Sequence, residues 1–341
     1  MKLAEISKLD AALVVGSFLR KDHPLFAQRL RQLARKWGKV SLLSVSADDP
    51  LLPLHARMAV SPADLPVALA AVVKAAAEQQ GKPAPAGVES VTTCAASQAI
   101  ARSLIEGEKS AIFLGNAAEQ SPYAGQLHAL ANALAELTGA NCGFIGEAAN
   151  SVGGHLAQAV PTSLNAYEMF ARPRKAYILL GVEPELDCHD PQMATSALRS
   201  ADFVVALSAF ADGAACDHAD ALLPIAPFSE TSGSFVNTEG RIQSFSGALR
   251  PFADARPGWK VLRVLGNLLE LPGFAYETSE QVRADITPLA EGFVGSLDNG
   301  LRESALSLPG KAGGLQRIAD VPIHFADALV RRAPALQKTR D

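Results

Sequence analysis

The sequence predicts an α/β protein built from doubly wound, mostly parallel sheets, because one local pattern occurs three times. Short apolar runs that end in glycine stand at Leu13–Gly16, Ile112–Gly115 and Ile178–Gly181. Each run is followed by a polar loop and then by a proline, a residue suited to the first turn of a helix. The runs do not alternate with polar residues, so each is expected to form a strand buried on both faces.

The rest of the chain continues this alternation of strands and helices. Further strands are predicted at Val40–Val45, Phe203–Leu207 and Ala221–Leu223. Helices are predicted at Leu25–Lys36, Ser61–Gln79, Pro122–Leu137 and Pro191–Arg199. Ser121 and Asp190 are expected to cap the last two of these helices. Two Rossmann-like modules are therefore predicted over residues 1–165 and 166–275, followed by an extended segment over residues 276–341.

Composition argues against several classes of partner. The net charge of −4 and the scattered basic residues give no sign of nucleic-acid binding. No apolar run approaches the ~20 residues needed to cross a bilayer, and the first residues lack the apolar core of a signal peptide. The four cysteines are widely spaced without a C-x-x-C pair, so free thiols are expected in place of disulfides or a zinc site. The chain is therefore expected in the cytoplasm, without direct membrane insertion.

Any ligand is expected at the carboxyl ends of the strands, where open α/β sheets form their crevices. The residues predicted there are Gly16, Ser17, His23, Gly181, Glu183 and Pro184. The glycine-rich phosphate loops G-x-G-x-x-G and G-x-x-x-x-G-K-[ST] are absent, as are the H-E-x-x-H and G-x-S-x-G motifs. Cys188 and His189 are adjacent in an extended loop and point apart, which disfavours a thiol nucleophile. A ligand crevice and ordinary strand–helix connections both stay open on this pattern alone.

The most specific pattern lies in Ala219–Phe245. Asn237-Thr238-Glu239-Gly240 separates two short β segments, which predicts a hairpin whose Gly240 has a positive φ. The longer pattern L-P-x(5)-E-x-x-G-x-x-x-N-x-E-G-R-x-Q resembles the signature of molybdopterin oxidoreductases, the family that contains formate dehydrogenases and nitrate reductases. It is carried by Leu223, Pro224, Glu230, Gly233, Asn237, Glu239, Gly240, Arg241 and Gln243.

Other stretches narrow this resemblance. "VVGSFLRKDHP" and "ILLGVEPELDCHDP" match the same family in the same order. Together with "IFLGNAAEQSPYAGQLHALANALAELTG" and "FADALVRRAPALQKT", they most resemble the C-terminal part of the large iron–sulfur subunit of bacterial NADH-quinone oxidoreductase, respiratory complex I. The resemblance implies a non-catalytic scaffold without cofactor or metal ligands, with iron–sulfur clusters in the upstream part of the same polypeptide. It also implies contacts with other subunits of the peripheral arm, on the cytoplasmic face of the bacterial inner membrane.

Departures from the family pattern predict that the crevice is a relic. Phe18 and Leu19 stand where the family has Asn and Pro, and neither side chain replaces the donor and acceptor of an amide. Glu183 would repel a pyrophosphate unless it is paired. The alternative is a catalytic molybdopterin oxidoreductase seen in part, such as a formate dehydrogenase or nitrate reductase, which would bind molybdopterin. An unrelated nucleotide-dependent enzyme is a third possibility, disfavoured by the lack of a glycine-rich fingerprint.

Two structural roles complete these predictions. We expect Glu230, Asn237 and Arg241 to brace the hairpin against the second module, with a solvated Arg241 as the simpler alternative. Pro322–Thr339 follows the glycine-rich connection Leu308–Gly314 and is predicted to dock through the apolar face of a short helix. The docking surface is either the chain's own modules or a partner.

Overall fold

The computed structural model describes residues 1–146, 148–290, 299, 301, 308–310, 313–318 and 320–339. Its first module is a five-stranded parallel sheet with the order β3-β2-β1-β4-β5. The strands are β1 Ala11–Val15, β2 Lys39–Ser44, β3 Ala56–Ala59, β4 Ser110–Leu114 and β5 Asn141–Phe144. The fold class predicted from the sequence is therefore confirmed.

The two central strands of this sheet are covered on both faces. All five residues of β1 and of β4 are buried, as their unbroken apolar runs predict. Leu13 and Ile112 pack against one layer of helices, whereas Val14 and Phe113 pack against the layer on the other face. The first layer is formed by α2 Leu65–Gln79, α3 Ala95–Glu106 and α5 Ala124–Thr138. The second layer is formed by the 3-10 turn Leu3–Lys8 and α1 Pro24–Arg35.

Short elements connect the modules and refine the predicted helix starts. The helix predicted from Pro122 begins at Ala124, because the one-turn helix α4 Asn116–Glu119 takes up the first part of the loop. The predicted Ser121 cap is therefore wrong, since Tyr123 is at the N-cap position and no side chain caps the helix. A 3-10 turn, Pro62–Asp64, precedes α2. Between the modules lie α6 Ser151–Leu156 and α7 Ala166–Ala171.

The second module is a three-stranded parallel sheet with the order β6-β7-β8. Its strands are β6 Ala176–Leu180, β7 Phe203–Ser208 and β8 Ala221–Pro224, connected through α8 Pro184–Asp187, α9 Pro191–Arg199 and α10 Ala214–Asp217. Asp190 caps α9 as predicted, because its Oδ1 accepts a hydrogen bond from the Met193 amide at 2.9 Å.

The prediction that β6 is buried on both faces is wrong. Its burial alternates, with Tyr177 and Leu179 buried, whereas Ile178 and Leu180 are 57% and 47% exposed. The reason is that α7 and α9 cover one face of this sheet and form a small core there with Tyr177 and Leu179. The continuous apolar run at β6 therefore predicts the strand correctly, but it does not show that both faces of the strand are buried.

The described elements after β8 contact both modules. An antiparallel hairpin, β9 Gly233–Val236 and β10 Ile242–Phe245, follows the 3-10 turn Phe228–Glu230 and confirms the predicted hairpin. Next come α11 Gly258–Leu268 and α12 Ser279–Ala290. The predicted connection Leu308–Gly314 lies partly outside the described residues.

The predicted helix in Pro322–Thr339 does not form. The segment contains two 3-10 turns, Val330–Arg332 and Leu336–Lys338, and Pro334 separates them. Within the described part of the chain, no helix has the length and apolar character that a membrane span requires.

Candidate functional site

The first crevice lies at the carboxyl ends of β1 and β4, where the order of the strands reverses. Gly16 follows β1 with a φ of +64°, and its amide donates to the Leu43 carbonyl of the neighbouring strand at 2.8 Å. A Cβ added at Gly16 would lie 2.6 Å from the Ala118 amide nitrogen, closer than real Cβ contacts allow. The backbone of α4 therefore lies directly against the turn after β1, in the place where α/β sheets hold ligands.

His23 ties the loops of this crevice together. Its Nε2 lies 2.8 Å from the Gly146 carbonyl, after β5, and its Nδ1 lies 3.0 Å from the Ser17 Oγ, after β1. A carbonyl oxygen only accepts, so Nε2 carries the proton and the Ser17 hydroxyl donates to Nδ1. Burial lowers the pKa of His23 and so favours this neutral form, although the hydrogen bond to Gly146 opposes the shift.

Apolar side chains fill the rest of the loop after β1. Phe18 and Leu19, the two departures from the family pattern, are both buried, and Leu19 belongs to the core beneath α1. Lys21, a cation that an anionic ligand could use, pairs with Asp320 of the C-terminal segment at 2.6 Å. The loop after β1 is therefore filled by packed apolar side chains, and the Lys21 ammonium is paired with a carboxylate.

The hairpin with the signature residues lies over this same crevice. Asn150 at the start of α6 accepts the Val236 amide at 2.8 Å, and the carboxylate of Glu239 accepts the Leu3 amide. A Cβ at Gly146 would lie 2.3 Å from the Thr238 methyl, which places the hairpin tip on the loop that His23 holds. The tip of the hairpin thus contacts the first module, contrary to the expectation that it braces against the second.

The signature residues within the hairpin have separate tasks. Asn237 shapes the turn, because its Oδ1 accepts the amides of Glu239 and Arg241 at 3.0 and 2.9 Å. Glu230 does form a contact within the second module, because its carboxylate accepts a hydrogen bond from the Phe252 amide at 2.9 Å. The side chain of Arg241 is 63% exposed and lies 3.6 Å from Glu239, a contact typical of a solvated arginine. Gly240 has the predicted positive φ, +79°, and Gly233 opens β9.

The second crevice lies after β6, where Gly181, Glu183 and Pro184 were predicted. Gly181 has a φ of +60°, close to that of Gly16, and its amide donates to the Leu207 carbonyl at 2.8 Å. Glu183 and Pro184 are buried at the start of α8. The Glu183 carboxylate is paired: Arg331 Nη1 lies 2.9 Å from its Oε2 and Arg332 Nη2 lies 2.5 Å from its Oε1.

The two arginines come from the C-terminal segment and reach further carboxylates. Arg331, whose side chain is 5% exposed, also contacts Asp187 at 2.6 Å. Arg332 contacts Asp212 at 2.6 Å, and its guanidinium lies 4.0 Å from the centre of the Phe210 ring. The hydrogen bond from Arg332 lowers the pKa of Asp212. The structure therefore shows the C-terminal segment docked onto the chain's own second module. This is one of the two outcomes that the sequence allowed.

Three of the four cysteines have raised pKa values, whereas at the exposed Cys94 burial is outweighed by hydrogen bonds with Ser97 that lower the pKa. Burial raises the pKa of Cys188, and Asp187 and Glu185 raise it further. Burial also raises the pKa of Cys142, to about 11, and that of Cys216. Among the described residues no cluster of three or more His, Cys, Asp or Glu side chains is arranged to hold a metal ion. The three thiols with raised pKa values are protonated near neutral pH, which argues against a nucleophilic Cys188.

Sequence reasoning missed the partners that close both crevices. Arg331 and Arg332 stand out in the sequence as charges beside an apolar face, but not as the partners of Glu183. Asp320 and Asn150 carry no local signal. The available clue was Glu183 itself, since a carboxylate buried in a crevice requires a cation from elsewhere in the chain.

Comparison with known proteins places this architecture in a family. The sequence profile of molybdopterin oxidoreductases matches residues 1–268. Proteins named "Putative formate dehydrogenase" are similar over part of the chain. One from Staphylococcus aureus is 33% identical over 100 residues, and one from Staphylococcus haemolyticus is 32% identical over 100 residues. Each match covers 29% of this chain and 10% of the relative, so the chain corresponds to a small part of those proteins.

Solved structures share the fold at low sequence identity. Acetylene hydratase from Pelobacter acetylenicus superposes with a TM-score of 0.58 and 11% identity, over 80% of this chain and 50% of that chain. A chain of the formyltransferase/hydrolase complex from Methylorubrum extorquens gives a TM-score of 0.50 and 16% identity, over 78% of this chain and 76% of that chain. These likenesses concern the fold alone. With a profile match over most of its length, the chain belongs to the molybdopterin oxidoreductase family.

Proposed function

We propose that this chain is a non-catalytic scaffold portion of the large peripheral-arm subunit of a bacterial NADH-quinone oxidoreductase. In this role its modules support electron transfer that iron–sulfur clusters elsewhere in the same polypeptide carry out. Its partners are other subunits of the peripheral arm, on the cytoplasmic face of the inner membrane. The observation that carries the proposal is the second crevice, where Glu183 is buried against two arginines of the same chain.

The described residues of both crevices fit molybdopterin poorly. Its phosphate group is anionic, whereas the second crevice presents Glu183, Asp187 and Asp212 with two arginines already paired to them. A phosphate there would leave carboxylates unpaired at close range, which is costly in a buried site. In the first crevice the backbone of α4 occupies the space directly beside Gly16 at the end of β1, since a Cβ at Gly16 would lie 2.6 Å from the Ala118 amide nitrogen. That this chain binds no cofactor remains a prediction, which measurement of molybdenum and pterin in the purified protein tests.

The second candidate is a catalytic molybdopterin oxidoreductase, of which this chain is a part. The names of the relatives favour it over the scaffold, since they refer to formate dehydrogenases. One structural observation also favours it. Among the described residues the Oδ1 of Asn116, at the carboxyl end of β4, is buried without a hydrogen-bond partner. A ligand that donates a hydrogen bond would satisfy this oxygen.

Cofactor analysis and co-purification separate the two candidates. The chain is produced with an affinity tag in its source bacterium, purified under mild conditions that keep its partners bound, and assayed for molybdenum and for pterin fluorescence after oxidation. The scaffold proposal expects neither, and it expects NADH:quinone reductase activity to co-purify with the tag. Stoichiometric molybdenum and pterin would overturn it in favour of the catalytic candidate. A chain that elutes without either cofactor or NADH:quinone reductase activity would contradict both.

A further inference from the structure

The uncovered face of the second sheet forms an exposed apolar surface. Ile178, Leu207 and Leu223 project from the three strands into a cleft of about 720 Å³ whose opposite wall is α11. The first turn of α11 lies close to the sheet, since a Cβ at Gly258 would be 3.5 Å from Leu180. Along its remaining length Val264 and Leu268 line the cleft while staying exposed. The cleft is a groove between a sheet and a helix, open along one side.

The apolar surface continues beyond the cleft. Leu180 and Phe203 are exposed on the strand faces that carry Ile178 and Leu207, and Leu269 and Leu271 are exposed just past the end of α11. An isolated exposed leucine is ordinary, but contiguous apolar patches of this kind are rare on monomers and mark binding surfaces. A small amphiphile would fill the cleft and leave these flanking side chains in water. The extent of the patch therefore favours a protein segment as its occupant.

The polar rim of the groove is positively charged. Arg256, Lys260 and Arg263 line it, and Glu277 is the acidic residue among the lining side chains. Arg256 and Arg263 donate to backbone carbonyls, and Lys260 lies 5.4 Å from the ring of Trp259. None of the three cations forms an ion pair with a carboxylate in the described part of the chain. This local charge is opposite in sign to the −4 of the whole chain.

We infer that this groove binds an amphipathic helix of a partner protein, with its apolar face against the sheet and α11 and with acidic residues flanking that face. Helix-in-groove recognition uses an apolar stripe for binding energy, and the rim charges select the orientation and partner. The inference does not depend on the scaffold proposal, because no described crevice residue lines the groove.

Trp259 provides a reporter for the test. The chain has two tryptophans, and Trp37 is in the first module, so a Trp37→Phe background leaves Trp259 as the fluorescent probe at the groove. The probe is a designed 18-residue amphipathic peptide with a leucine stripe flanked by glutamates. The matched peptide has lysine in place of every glutamate. We expect the glutamate peptide to shift Trp259 emission and to bind at least about tenfold more tightly than the lysine peptide at low salt.

Paired variants locate the binding surface. Leu268→Ser should weaken the glutamate peptide by about tenfold, through lost apolar burial, whereas Leu25→Ser, a similarly exposed leucine on α1, should leave it unchanged. Lys260→Glu with Arg263→Glu should reverse the preference between the two peptides. Far-ultraviolet circular dichroism and thermal melting confirm that each variant is folded.

Four outcomes would overturn the inference. Equal affinity for the two peptides, or equal effects of Leu268→Ser and Leu25→Ser, would exclude an acidic helix in this groove. Binding of oleate to Trp259 without binding of the glutamate peptide would identify a small anionic amphiphile as the occupant. A concentration-dependent dimer in sedimentation, lost in Leu268→Ser, would identify a second copy of the chain. Failure of the groove test leaves the cofactor and co-purification results unaffected.

Discussion

The two crevices begin with the same backbone and are closed by different forces. Gly16 and Gly181 each end a parallel strand with φ near +60°, and each donates its amide to the neighbouring strand. The first crevice is closed by backbone contact, buried Phe18 and the neutral His23. The second is closed by an ion-pair network from a segment nearly 150 residues further along the chain. The strand–turn–helix geometry is thus retained at both sites, independently of what fills them.

Because the two crevices are filled by different kinds of contact, different changes would be needed to open them. Packed backbone and apolar side chains cannot be displaced without moving a strand end or a helix. A guanidinium held by carboxylates can be withdrawn with its segment, at the cost of leaving those carboxylates unpaired. The second crevice therefore depends on the presence of the C-terminal segment, whereas the first depends on the sheet itself. Substitutions at the two sites test this contrast.

The largest effect is expected for Arg331→Ala. The change leaves Glu183 with Arg332 as its remaining partner and removes the contact to Asp187 in a site that is almost fully buried. Loss of one member of a buried ion network typically costs about 3–5 kcal/mol, and the retained Arg332 places this case near ~3 kcal/mol. The free energy of unfolding from urea titration measures it, and proteolysis shows whether the C-terminal segment is released.

A matched control lies in the same segment. Arg317 is exposed and donates to the His189 carbonyl, so Arg317→Ala should change the free energy of unfolding by less than about 1 kcal/mol. Adding Asp187→Asn to Arg331→Ala should restore part of the loss, because Asp187 is the carboxylate that loses its paired cation when Arg331 is removed. Equal effects of Arg331→Ala and Arg317→Ala would show that the second crevice is not held by its ion pairs.

These contacts also show which parts of the molecule could be predicted from sequence. The apolar runs at β1 and β4 and the turn residues of the hairpin are local signals, and they predicted strands and a hairpin correctly. Arg331 and Glu183 are far apart in sequence, so their pairing depends on the fold and has no periodic signal. The open face of β6 was missed for a related reason. Apolar residues on a strand predict that its face is buried, but they do not indicate whether this chain or a partner buries it.

The two glycines test the contrast directly. Gly16→Ala adds a Cβ within 2.6 Å of the Ala118 amide, whereas Gly181→Ala meets its nearest atom, Ile225 Cδ1, at 3.9 Å. Both variants lose about 1 kcal/mol to a left-handed backbone, and only the first must also displace α4. We expect a loss of about 2–3 kcal/mol for Gly16→Ala and about 1 kcal/mol for Gly181→Ala. Equal losses would mean that the first crevice has room to open.

His23 gives the first crevice a pH dependence just below neutral pH, whereas the second crevice responds at more acidic pH, where Asp212, with its lowered pKa, takes up a proton. Its folded pKa lies below the ordinary 6.5, so the unfolded chain binds the proton more readily. Its contribution is fully present above pH 6.5 and declines as the pH falls from there through the folded pKa. His23→Gln retains a donor and an acceptor and should cost about 1 kcal/mol at about pH 7.5. It should also flatten the fall in unfolding free energy below pH 6.5.

The control for this profile is His155→Gln, which replaces an exposed histidine in α6. Its unfolding free energy should follow the wild-type curve across the same range. Parallel curves for wild type and His23→Gln would show that the imidazole is not held neutral between Ser17 and Gly146. In that case the closing of the first crevice rests on its apolar residues alone.

The smallest effect is expected at Arg241, although it belongs to the family signature. Its side chain is 63% exposed and its contact with Glu239 is 3.6 Å long, so Arg241→Ala should change the free energy of unfolding by less than about 0.5 kcal/mol. Asn237→Ala should cost about 2 kcal/mol, because two amides of the turn lose their acceptor. The hairpin tip that Asn237 shapes lies on Gly146, so this variant should also increase hydrogen exchange at the loop held by His23.

A large loss of stability in Arg241→Ala would restore the bracing role expected from sequence. Unchanged stability with loss of co-purifying NADH:quinone reductase activity would instead assign Arg241 to a partner contact, because the exposed side chain can reach a neighbouring protein from the edge of the first crevice.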